Sequence, residues 1–194
     1  AKEYVRLLPL LAGIDQALDK GSCTLAIEGG SASGKSTLSA LLSELYDCNV
    51  IHMDDFFLRP EQRTADRLAE IGGNIDRERF LTEVLHPLSE SEPFSYRPFD
   101  CSTQALREPI QIPRKPLTVI EGVYSMHPAF SDCYDISVFL DIAPATQKQR
   151  VEKRNSPFFA QKYLETWIPM ENRYFTETDA KNRCTLSIPE EFNP

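Results

Sequence analysis

Short apolar runs alternate along this chain with longer stretches whose apolar positions recur every three or four residues. Residues 23–28 (CTLAIE), 49–53 (NVIHM), 116–124 (PLTVIEGVY), 134–142 (YDISVFLDI) and 184–188 (CTLSI) predict strands. Residues 36–46, 76–88 and 145–155 follow the helical period, and in the second of these Phe80, Val84, Leu85 and Leu88 share one face. Strand and helix in alternation predict an α/β fold in which crossover helices connect a parallel sheet.

Proline modifies this pattern in three places. Near the start, Tyr4, Leu7, Leu8, Leu11, Ile14 and Leu18 keep helical spacing, but Pro9 implies a kink or a late start. From 157 to 174 the aromatics Phe158, Phe159, Tyr163, Trp167 and Tyr174 lie in a helical pattern that Pro169 bends, and core packing is their expected role. The stretch 107–116 (REPIQIPRKP) reads as an extended loop or edge strand.

Composition narrows the function classes. The 194 residues suit a single domain over 1–194, and 41% apolar with 26% charged residues is a globular balance. A net charge of -8 repels nucleic acid and anionic membranes, so neither is an expected partner and any working cation acts locally. The five cysteines are scattered, odd in number and without a CxxC pair, which fits reduced thiols and a cytoplasmic protein. His52, His86 and His127 show no metal-ligand spacing, and His127 reads as an ordinary loop histidine. Oligomeric state is left open, a homo-oligomer included.

The strongest chemical signal is the segment IEGGSASGKSTL, residues 27–38. Gly29, Gly34, Lys35 and Ser36 satisfy G-x-x-x-x-G-K-[ST] between a predicted strand and a predicted helix, which is the setting that motif needs. Glycines let backbone N–H groups turn onto phosphate oxygens, and the helix N-terminus adds its dipole. Gly29, Gly30, Ser31, Ala32, Ser33, Gly34, Lys35, Ser36 and Thr37 are the expected nucleotide-binding residues, with Lys35 on the β/γ-phosphates and Ser36 on Mg²⁺. The fold class that follows is a three-layer P-loop NTPase fold, a parallel sheet with helices on both faces.

Carboxylates at strand ends supply the remaining chemistry. Glu121 ends the run LTVIE and is the second candidate for the metal side, because Mg²⁺ takes few protein oxygens and keeps water. Asp54 and Asp55 follow IHM at the carboxyl edge of the sheet, where open α/β folds bind ligands. Asp54 is the expected base for an attacking hydroxyl, with Asp55 the alternate. Arg150 and Arg154 lie four apart on a basic helix, and residues 145–160 form a lid region whose cations would neutralise transferred charge. Asp55, Phe56, Arg59, Tyr96, Arg97 and Phe99 are the candidates for acceptor binding. There is no DxxG or N/TKxD motif, which weakens a GTPase reading.

Together GGSASGKST, HMDDFF, RPFD, VIEGVY and QRVEKRN resemble the uridine kinase branch of P-loop small-molecule kinases, which includes phosphoribulokinase and nicotinamide riboside kinase. The resemblance spans roughly 26–155, with Phe99 where the family's Pro-x-Tyr-Asp stretch carries tyrosine. It implies ATP- and Mg²⁺-dependent transfer of the γ-phosphoryl group to a hydroxyl of a small molecule, first a nucleoside. In the same resemblance Asp54 takes the base position and Arg150 and Arg154 the lid. The competing reading is a nucleotide-dependent ATPase or switch that serves a protein partner.

Overall fold

A computed structural model describes residues 5–90 and 92–190. Five parallel strands form the central sheet in the order β2-β7-β1-β8-β9, where β1 is Cys23–Gly29, β2 Cys48–His52, β7 Leu117–Glu121, β8 Ile136–Leu140 and β9 Leu186–Ile188. All five lie within or one residue beyond the apolar runs that predicted them. Two small antiparallel pairs stand apart from the sheet: β3 (Phe94–Tyr96) with β6 (Ile110–Ile112), and β4 (Phe99–Asp100) with β5 (Ala105–Leu106). The proline-flanked segment 107–116 thus contains an edge strand, as its prolines require.

Side chains alternate across the sheet and fill two cores. On one face Leu25 and Ile27 of β1, Val119 of β7 and Val138 of β8 pack against α1 (Leu8–Leu18) and α2 (Lys35–Leu45). Leu10, Ile14, Leu38 and Leu42 are fully buried there, each worth about 1.5–3 kcal/mol of transfer free energy. Pro9 sits in the first turn of α1, where its missing N–H costs nothing. Tyr4 lies outside the described residues. On the opposite face Ile51, Ile120, Phe80, Val84, Phe130 and Tyr174 form the second core.

Three further helices carry two interior prolines without breaking. Helix α3 spans 77–90: Arg77–Phe80, a π-turn at Leu81–Leu85, then His86–Glu90 containing Pro87. Helix α4 is Pro144–Arg154. Helix α5 spans 157–178: Pro157–Lys162, a π-turn at Tyr163–Trp167, then Ile168–Thr178 containing Pro169. In both long helices the wide turn ends two residues before the proline. A π-turn opens the i→i−4 ladder at the place where the ring would meet a carbonyl, so the rod continues. Ser156 caps α5 through the Phe159 N–H, and Asp76 caps α3 through the Arg79 N–H.

Aromatic burial along α5 is uneven. Tyr174 is in the core, whereas Phe158 and Phe159 are 70% and 50% exposed, contrary to the core role expected of them. They follow the capped start of α5, and no element among the described residues buries them. No helix among the described residues is long and apolar enough to cross a membrane.

Candidate active site

The phosphate-type loop turns from β1 into α2 through conformations that its glycines make available. Gly29 has φ 146°, and a Cβ there would stand 2.6 Å from the Leu140 carbonyl oxygen on β8. Gly34 has φ 101° and begins α2 with no side chain capping it, which leaves first-turn N–H groups for an anion. Lys35 Nζ donates to the carbonyls of Gly29 at 2.8 Å and Gly30 at 2.9 Å, folding its stem back under the loop.

A cavity of 760 Å³ opens over this loop at the carboxyl end of the sheet. It is lined by Ser31 through Thr37, by Asp54, Glu121, Gly122 and Val123, and by Thr146, Gln149, Arg150, Lys153, Arg154 and Tyr163. Four cationic side chains (Lys35, Arg150, Lys153, Arg154) face two carboxylates (Asp54, Glu121). In a chain of net charge -8 this cavity is locally positive, as a polyanion site must be.

Each wall has a defined origin. Glu121 closes β7, in register with Ile27 on one side and His52 on the other. Its Oε1 accepts from Ser36 Oγ at 3.1 Å and from His52 Nδ1 at 2.7 Å. Burial pushes the Glu121 carboxyl up, but the His52 hydrogen bond and the Lys35 charge outweigh it and hold the group below its ordinary value. His52 is raised by the same bond to Glu121. The sequence hid this histidine, because it sits at the end of an apolar strand.

Asp54 and Asp55 share a 3₁₀ turn, Met53–Phe56, that follows β2 directly, yet they face different surroundings. Asp54 lines the cavity and makes no hydrogen bond to another described residue. Water reaches it through the cavity mouth while protein surrounds its other sides, and that crowding pushes its carboxyl up. Lys35 pulls the opposite way and Glu121 adds to the rise. Asp55 instead accepts from Tyr96 OH at 2.8 Å.

Of the other acceptor candidates, Phe56 is turned into the second core, 5.0 Å from the Phe80 ring and 5.2 Å from the Tyr96 ring, with Arg79 over its face. Phe99 is buried beneath Arg63. Arg97 holds the β4–β5 hairpin through the Arg107 and Leu106 carbonyls, and Arg59 pairs with Glu61 and Gln62 beside the turn. His127 accepts from the Ala129 N–H and donates to the Ile71 carbonyl, and burial pushes it down to about 4, so it is a neutral brace.

Helix α4 is docked on the loop. Gln147 Nε2 donates to the Ser31 carbonyl at 2.9 Å and Arg150 Nη1 to the Ala32 carbonyl at 3.0 Å, one helical turn apart on α4. Arg154 lies over the Tyr163 ring of α5 at 5.5 Å. Ser31 N–H donates to Glu171 Oε2 at 2.8 Å.

Behind the loop stands Glu28, fully buried, which accepts from the N–H groups of Gly29 and Met126 and from Tyr174 OH at 2.9, 3.0 and 2.9 Å. Burial pushes it up to about 7 against the pull of those donors and Lys35. A carboxyl raised on folding favours the folded state most below its unfolded value, about 4.3, and loses up to roughly 3 kcal/mol as pH climbs to about 7. Glu28→Gln removes that dependence and sets an NH₂ group against one backbone N–H, costing about 1–3 kcal/mol. Thermal melts are expected to show the variant furthest below wild type at pH 5 and closer to it at pH 8.

A site for ATP with Mg²⁺ is consistent with these residues. Ser33 Oγ is buried in the loop with no hydrogen-bond partner among the described residues, and the free α2 N-terminus and four cations surround the same space. Among the described residues no cluster of three or more His, Cys, Asp or Glu could cage a metal ion. The Ser36–Glu121 pair suits Mg²⁺, which is commonly held by one or two protein oxygens, phosphate and water.

No protein-family model matches this chain, and no curated protein sequence matches it. Solved structures do. A protein from Bacillus stearothermophilus provisionally assigned as a uridine kinase superposes with a TM-score of 0.66 at 20% identity, covering 93% of this chain and 100% of its own. A Silicibacter protein provisionally assigned as a fructose transport system kinase gives 0.69 at 23% identity, covering 93% and 98%. At such identities the likeness is one of fold. The chain therefore has the three-layer α/β fold of the P-loop kinases.

Proposed function

We propose that this protein is an ATP-dependent kinase that transfers the γ-phosphoryl group to a hydroxyl of a small molecule, with a nucleoside the first acceptor to test. The observation that carries the reading is Asp54, a carboxylate without a hydrogen-bond partner on the same cavity as Lys35, Ser36 and the lid arginines. A hydrolase would set the same carboxylate against water, so the dependence of ADP release on an acceptor separates the two readings.

In this reading the loop amides and Lys35 hold the triphosphate, and Ser36 with Glu121 holds Mg²⁺. Bound Mg²⁺ supplies charge neutralisation on the phosphate oxygens. Asp54 accepts the proton of the acceptor hydroxyl as its oxygen bonds to the γ-phosphorus. The bond from that phosphorus to the bridging oxygen breaks, and ADP leaves. Arg150 and Arg154 would release their present partners to meet the charge on the transferred group.

The two structural neighbours carry assignments to uridine and to a fructose transport system, both pointing to hydroxyl-rich small molecules. Nucleosides, sugars, pantothenate and nicotinamide riboside therefore make up the test panel. ADP release is expected to rise at least tenfold above the water-only rate with one class of acceptor. A rate that no acceptor raises, but that a protein partner does, would favour the switch reading instead.

A further inference from the structure

Ser31 has every polar group taken by helices α4 and α5. Its N–H donates to Glu171 Oε2 at 2.8 Å, its hydroxyl to Glu171 Oε1, and its carbonyl accepts from Gln147. One turn further along α5, Tyr174 donates to Glu28, whose other oxygen accepts the Gly29 N–H. A single face of α5 thus holds the loop at its entrance and at its outer turn.

Glu171 does not line the cavity, and it is 5% exposed. Placing a buried acid near a site for a polyanion is electrostatically unfavourable, so its presence needs a geometric reason. Ser31 presents two donors side by side, and a carboxylate offers one oxygen to each. Within the loop, the Ser33 N–H bond to the Gly30 carbonyl spans the pinned residue on both sides. With Ser31 fixed, the segment leading to Gly34 has little freedom left, and less ordering entropy is lost when a ligand binds.

We propose that Glu171 is a positioning residue for the phosphate donor: by holding Ser31 through both its N–H and its hydroxyl, it keeps the phosphate loop in its binding shape before nucleotide arrives. This rests on the reading of the cavity as an ATP site. The predicted deficit is therefore in donor affinity, without a matching loss in the chemical step.

The test is calorimetric titration of MgATP into the whole protein and its variants, with amide hydrogen exchange of the peptide covering 29–37. Glu171→Ala is expected to weaken MgATP binding about tenfold or more, the loss of charge-assisted hydrogen bonds. Exchange in the free loop should rise at the same time, and in turnover the deficit should fall on the KM for ATP rather than on kcat. Glu171→Gln, whose carbonyl oxygen can still accept one Ser31 donor, should recover most of the loss. Affinity in Glu171→Ala within twofold of wild type, or tighter, overturns the proposal, as does unchanged loop exchange. Should Glu171→Ala fail to fold, Ser31→Ala removes the hydroxyl half of the tether: about threefold weaker binding supports the proposal, and unchanged binding overturns it. Wild-type protein that binds no MgATP would remove the kinase reading along with this one. Wild-type binding with an indifferent Glu171 would remove this inference alone.

Discussion

Asp54→Asn is expected to slow phosphoryl transfer by about 10²–10⁴-fold while ATP affinity stays close to wild type. The amide keeps the size and shape of the side chain but cannot take a proton from the acceptor hydroxyl. Asp54 binds no loop atom, so its loss leaves the loop, Lys35 and the Ser36–Glu121 pair as they are. A second signature lies in the pH profile. Crowding raises the Asp54 carboxyl, so wild-type kcat/KM should fall on the acid side at a pH above the ordinary aspartate range. That limb should disappear in Asp54→Asn. Rates measured from pH 4.5 to 8 decide it, and a variant that turns over normally would take the base role from Asp54.

Lys35→Met should have the larger effect on the donor side, with ATP binding weakened about 10–100-fold and turnover lowered about 10³-fold. Methionine fills the space of the aliphatic stem, so the change isolates the charge. Lys35 also pulls down the carboxyls of Asp54, Glu28, Glu171 and Glu121. Its removal raises all four, and residual activity should need a higher pH than in wild type. Calorimetry with ATP and a rate profile on the same preparation test both statements. Unchanged ATP affinity would mean that the loop amides alone carry the phosphates.

Local order was legible in the sequence where one stretch of chain determines it. The five strands are apolar runs bounded by polar residues, and the phosphate loop is a contiguous motif between a strand and a helix. The four helical stretches 36–46, 76–88, 145–155 and 157–174 all became helix, though 157–174 continues to Thr178. The β4–β5 hairpin was not read, because its strands are two residues each and its turn depends on Asp100 accepting from Ser102 and Thr103.

Long-range pairing escaped the sequence altogether. Glu171 meets Ser31 across 140 positions and Tyr174 meets Glu28 across 146, and neither pair leaves a periodic trace. Periodicity marked Tyr174 as a core residue, which it is, but could not reveal the hydroxyl contact. Asp54 and Asp55 are adjacent and chemically alike, so only the direction of the 3₁₀ turn separates the one in the cavity from the one held by Tyr96.

The wide turn at Tyr163–Trp167 also sets the rotational phase of everything beyond it on α5. Each residue advances an α-helix by about 100°, and a π-turn accommodates one residue more than a regular turn would. Winding the same residues there as a regular α-turn would swing Glu171 and Tyr174 about 100° around the axis. Ser31 and Glu28 would then lose their partners in one step, so the length of that turn is as much a part of the loop's support as the two side chains themselves.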